Sequence, residues 1–113
     1  MTETEERHSL GAAVDQLWPR IDSGEASLEE VRALALKVFD RLGVSGLDRW
    51  EKHHFIWVLK GLATSREQPG AGLYTALHGV EQALAPAEAR VTPDDPQLDE
   101  ISEDDLRQWV AAA

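Results

Sequence analysis

Ser27-Leu28-Glu29-Glu30 opens the part of the sequence that most restricts the fold. A Ser three residues before a Glu reads as a capping box, in which the hydroxyl accepts from the Glu30 amide and the carboxylate reaches back to the cap. The residues that follow are apolar at helical spacing. Leu28, Val31, Leu34, Ala35, Val38, Phe39 and Leu42 form one stripe, and Gly43 supplies a C-terminal stop. A stripe of that width needs other elements to cover it.

The rest of the chain offers more of the same. Leu10, Val14, Leu17, Trp18 and Ile21 share one side of a helix over about Glu6 to Trp18, with Pro19 predicting a stop or kink near Trp18. A third helix is predicted over Leu47 to Thr64. Gln68-Pro69-Gly70-Ala71-Gly72 reads as a loop, and a fourth helix over Leu73 to Ala85 places Leu73, Ala76, Leu77, Val80 and Leu84 on one face before Pro86. Residues 87–101 read as an extended acidic connector to a short terminal helix. That helix starts at Ser102, with Asp105 as capping partner and Ile101 and Leu106 placed for a hydrophobic staple. No alternating strand pattern is visible. The expected fold is all-α, one domain of four main helices plus the terminal one.

At 113 residues with 42% hydrophobic content and four Trp, the chain has enough apolar surface for one core. It has no Cys, which removes disulfides, thiolate nucleophiles and Cys-based metal sites together. The start, MTETEERHS, lacks the basic-then-apolar order of a signal peptide, and no apolar run approaches the roughly 20 residues that span a bilayer. A soluble, cytoplasmic protein without membrane contact is the expectation.

The net charge of −10 is unevenly spread. Glu88, Asp94, Asp95, Asp99, Glu100, Glu103, Asp104 and Asp105 face one base, Arg90, within the same segment. Such a balance speaks against nucleic-acid binding, which needs a basic footprint, and permits a basic protein partner or mimicry of a phosphate backbone.

The third helix carries WEKHHFIWVLKGL, with Glu51 and His54 inside its apolar arc and three residues apart. The spacing allows a charge-assisted Glu–His pair at the edge of the core. Glu-x-x-His is also the half-site of carboxylate-bridged di-iron bundles, and His78-x-x-Glu81 loosely mirrors it. The full site needs two further carboxylates on other helices, and none stands out, so no metal and no cofactor is expected. The Ser residues sit at caps, loops or helix ends, and Gly70-Ala71-Gly72 lacks the rest of a phosphate loop. An enzyme acting on its own is not expected.

Trp is enriched at interface hot spots. Trp18 and Trp50 are assigned to packing. Trp57 lies at the margin of its arc, beside an Ile56 read as exposed between Lys52 and Lys60, and Trp109 with Val110 sits on a short terminal element. The expected partner-binding residues are Ile56, Trp57, Asp94, Asp95, Asp99, Glu100, Trp109 and Val110.

Trp50-Glu51 followed by Phe55 is similar to the W-E-x-x-x-F helix in the N-terminal region of nitrile hydratase β subunits and their activator proteins. Leu106-Arg107-Gln108-Trp109-Val110 resembles the second half of that family's later Tyr-Tyr-x-x-Trp motif, with Asp105-Leu106 where the tyrosines would stand. The resemblance covers Leu47 to Val110 and leaves residues 1–46 unaccounted for. It implies a helical, non-catalytic subunit or activator that docks on an α subunit carrying the metal. The expected function is therefore a protein-binding accessory subunit, activator or regulator within a heteromeric complex. The alternative is an acidic inhibitor, such as a toxin-immunity protein or a DNA mimic.

Overall fold

Two antiparallel helices, α3 (Arg49–Thr64) and α4 (Pro69–Ala83), form the most extensive pairing in the molecule. The computed structural model describes residues 3–113; Met1 and Thr2 of the polar start lie outside the described residues. Around the α3–α4 pair stand α1 (Glu3–Asp22), α2 (Leu28–Leu42) and α5 (Glu103–Ala112). Among the described residues there is no strand, and the fold is all-α. No helix of the described residues is long and apolar enough to cross a membrane.

Glycines set the closeness of α3 and α4. A Cβ on Gly61 would stand 2.4 Å from the Ala76 amide nitrogen, and one on Gly72 would stand 2.2 Å from that of Ser65. At Gly79 it would stand 2.9 Å from the His54 carbonyl oxygen. Backbone cannot retreat from such contacts as a side-chain tip can. Residues 69–72, predicted as a loop, are therefore the first turn of α4. Pro69 suits that position because its fixed φ is helical and its missing N–H would have no helical partner.

The helix stripes meet in one core. Leu10, Val14, Leu17 and Ile21 of α1 pack with Val31, Leu34, Ala35, Val38, Phe39 and Leu42 of α2. Phe55, Val58 and Leu62 of α3, Leu73, Ala76, Leu77, Val80 and Ala83 of α4, and Leu106 and Val110 of α5 complete it. Phe39 and Phe55 meet edge to face, with centroids 4.9 Å apart.

Several ends differ from expectation. α1 continues through Pro19, with Ser23 N donating to the Pro19 carbonyl at 3.0 Å. Buried Ile21 and the Arg20–Glu30 ion pair hold this last turn. The Glu30 carboxylate serves both this pair and the Ser27 cap, whose hydroxyl accepts from Glu30 N at 3.2 Å and donates to Glu30 Oε1 at 3.3 Å. Gly43 keeps a right-handed helical conformation and leads into a 3-10 turn, Gly43–Ser45; the positive φ falls on Gly46, at 88°.

Residues 87–101 are shaped and anchored, not extended. They contain 3-10 turns at Ala87–Ala89 and Pro96–Glu100, and Leu98 is buried. Lys52 donates to the carbonyls of Leu98 and Ile101, and Arg49 pairs with Asp99. Ser102 then caps α5 as expected, accepting from Asp105 N at 3.3 Å.

Candidate functional site

Glu51 has a different task from the one its spacing suggested. Asp48 caps α3 by accepting from Glu51 N at 2.8 Å, and Glu51 Oε1 accepts from Asp48 N at 2.9 Å. This is a full capping box. Its signal, Asp three residues before Glu at a helix start, was present in the sequence. The other oxygen, Oε2, accepts from Arg90 at 3.1 Å. Burial pushes the Glu51 carboxyl above the usual carboxylate range, against the pull of its hydrogen bonds.

His54 is thus not the partner of Glu51. Its ring lies 4.4 Å from that of Trp50 and 5.1 Å from that of His53. Burial lowers its pKa to about 4, with the charges of His53, His78 and Arg90 adding to the effect. At neutral pH the imidazole is uncharged. Glu81 is also committed elsewhere, accepting from Trp18 Nε1 at 2.9 Å. Among the described residues, no group of three or more His, Cys, Asp or Glu comes together as a metal would require.

What gathers instead is a hollow of about 320 Å³ between α3 and α4, lined by His54, Trp57, Tyr74, Thr75, His78 and Gly79. Trp57 is 44% exposed with Lys60 Nζ 4.8 Å from its ring centroid. Tyr74 is 55% exposed and tilted against Trp18, centroids 5.0 Å apart. Tyr74 is absent from the sequence-derived set because it stands off its helix's apolar stripe. As the one Tyr of the chain, on the polar side of an apolar helix, it was detectable.

The expected partner-binding residues divide. Ile56 is half-buried and packs against the core, because it shares its face of α3 with Lys52, which is covered by residues 98–101. Val110 is fully buried in that core. Val110 offers no free surface, and Ile56 is corrected from exposed to half-buried. Trp57 is exposed on the α4 side of its helix, about 100° around from Ile56. Trp109 is 48% exposed on α5. Asp94, Asp95, Asp99 and Glu100 are exposed, but Asp99 is tied to Arg49 at 2.9 and 2.5 Å, and that guanidinium holds its carboxyl below the usual range. Asp95 accepts from Gln97 N at 3.0 Å and so caps its own 3-10 turn.

The three residues of the W-E-x-x-x-F pattern each have a task in this fold. Trp50 Nε1 donates to the Gln82 carbonyl at 2.7 Å, Glu51 closes the capping box, and Phe55 is buried against Phe39. No protein-family model, curated protein or solved structure matches the chain.

Proposed function

We propose that this is a non-enzymatic protein-binding protein, acting as accessory subunit, activator or regulator within a heteromeric complex. Trp109 carries this reading. Half its indole is open to solvent on a helix whose inner residues, Leu106 and Val110, are already buried. The first turn of that helix is Glu103-Asp104-Asp105, roughly 9 Å from Trp109 along the axis. An exposed Trp beside a one-signed patch supports an apolar anchor with electrostatic steering toward a basic protein surface.

The acids available for this are those that the fold has not used. Glu103 accepts from Leu47 N and Asp99 pairs with Arg49, whereas Glu88, Asp94, Glu100, Asp104 and Asp105 form no ion pair among the described residues. The same acids support the second reading, an inhibitor that covers a basic active site. A nitrile hydratase-type complex is one setting for the first reading, and its support is the sequence resemblance alone. The cysteine-free composition favours the cytoplasm.

Affinity purification from the native host, with mass spectrometry, tests the proposal. A stoichiometric partner with a basic surface, retained by the parent and lost from Trp109→Ala, is the expected result. Retention of the same partners by Trp109→Ala and by an Asp94→Asn, Asp95→Asn, Glu100→Gln variant would overturn it.

A further inference from the structure

We propose that the hollow between α3 and α4 binds a small, uncharged, planar aromatic compound of one or two rings. Its size suits such a ligand, since about 320 Å³ lies at the lower end of small-molecule sites. Its walls suit a flat one. Trp57 and Tyr74 come from opposite helices and leave large ring surfaces in solvent, and Trp18 supports the Tyr74 ring from the side. Offset or tilted ring contacts recover more than area alone for an aromatic ligand.

The polar groups fit the same ligand. Among the described residues, the imidazoles of His54 and His78 and the hydroxyl of Tyr74 make no hydrogen bond to protein, while the Thr75 hydroxyl is already donating to the Ala71 carbonyl. Three unused donor–acceptor groups therefore surround an aromatic slot. A neutral imidazole both donates and accepts, which suits a ring N–H or a ring nitrogen equally.

Charge selects against ions. Among the described residues no carboxylate lines the hollow, since Glu81 accepts from Trp18 and Glu51 faces Arg90. A bound cation would lack a counter-charge and would compete with Lys60 for the Trp57 face. Among the described residues an anion would find that same lysine, already placed over the ring.

Indole serves as the probe, with cyclohexanol as an uncharged non-planar control and tetramethylammonium as a cation. Binding is read from NMR shifts of the His54 and His78 imidazoles and the Trp57 indole N–H in the full chain. The expected result is saturable shifts with indole, weaker by about tenfold with Tyr74→Leu, consistent with the loss of one stacking face. The same loss is expected with Trp57→Leu, read at the imidazoles. Both sites are exposed, so melting temperatures within a few degrees of the parent will show that each variant is folded. Trp109→Ala, outside the hollow, should bind indole as the parent does. No saturation up to the solubility limit of indole would overturn the proposal. So would equal binding of cyclohexanol, binding of tetramethylammonium at this site, or unchanged affinity in Tyr74→Leu.

Discussion

The guanidinium of Arg90 lies 3.1 Å from the buried carboxylate of Glu51, thirty-nine residues earlier in the chain. It also contacts Asp48 at 3.0 Å and donates to the carbonyls of Ala83 and Ala85 at 3.0 and 2.8 Å. Because α3 and α4 are antiparallel, the acid-capped start of one helix adjoins the open carbonyls at the end of the other. One cation serves both, where each helix dipole favours it or its partners.

Removing either partner leaves the other buried and short of hydrogen bonds. Arg90→Ala and Glu51→Ala are each expected to lower unfolding stability by about 2–4 kcal/mol. Glu51→Ala also opens the capping box. Urea denaturation of the two variants and the double variant checks this, and the double should fall well short of the sum of the singles.

The glycines separate packing from propensity. Gly72→Ala should prevent stable folding or lower stability by more than about 3 kcal/mol, because its Cβ would lie 2.2 Å from one backbone atom and 2.4 Å from another in Ser65. Gly11→Ala, within α1 and with nothing within 4 Å, should raise stability by about 0.5–1 kcal/mol through helix propensity. Thermal melts of the pair read both signs.

These contacts mark where the sequence was readable and where it was not. The stripe of α2, its Ser27 cap and the Ser102 cap are local patterns, and local patterns were enough to place those helices. Glu51 sits in the arc where periodicity put it, but its cation is on a distant segment, which spacing cannot reveal. Gly72 looks like a loop residue until a second helix is laid against it. The hollow likewise needs the register of two helices before His54, Trp57, Tyr74 and His78 come together. Ile56 and Val110 were misplaced because residues 98–101 and α5 fold back onto α3, covering faces that are open on isolated helices.

His54 gives the fold a pH dependence with a definite sign. Its pKa falls from 6.5 to about 4 on folding, so the unfolded chain takes up a proton in that interval and the folded chain does not. The stability it contributes is complete above 6.5 and is lost as pH falls toward 4. One site can give a slope of at most about 1.4 kcal/mol per pH unit, and a half-buried ring gives less. Glu51, with its raised pKa, acts in the opposite direction as pH falls. Asp40 and Asp99, lowered by Arg107 and Arg49, lose their contributions only below 3.8. Comparing urea midpoints at pH 7, 6 and 5 in parent and His54→Gln isolates the term: the variant should show the shallower decline.

The acidic C-terminal surface makes a kinetic prediction that the fold sharpens. Asp99 and Glu103 anchor the segment to Arg49 and to the Leu47 amide, so altering them would disturb the fold as well as the charge. Asp94, Asp95 and Glu100 are exposed and belong to no ion pair among the described residues, although Asp95 caps its own turn through Gln97. Neutralising these three as Asp94→Asn, Asp95→Asn and Glu100→Gln keeps their shapes and removes three charges from the steering field. With the partner in hand, stopped-flow association should slow for this variant and lose much of its salt dependence. The parent's rate should fall steeply as salt rises past about 0.15 M, where the screening length is roughly 8 Å. Trp109→Ala acts on a different step. An indole that leaves water only in the complex contributes after encounter, so its loss should speed dissociation and leave the salt dependence of association unchanged. Parental kinetics in both variants would remove the C-terminal surface from the interface and shift attention to the Trp57–Tyr74 side of the molecule.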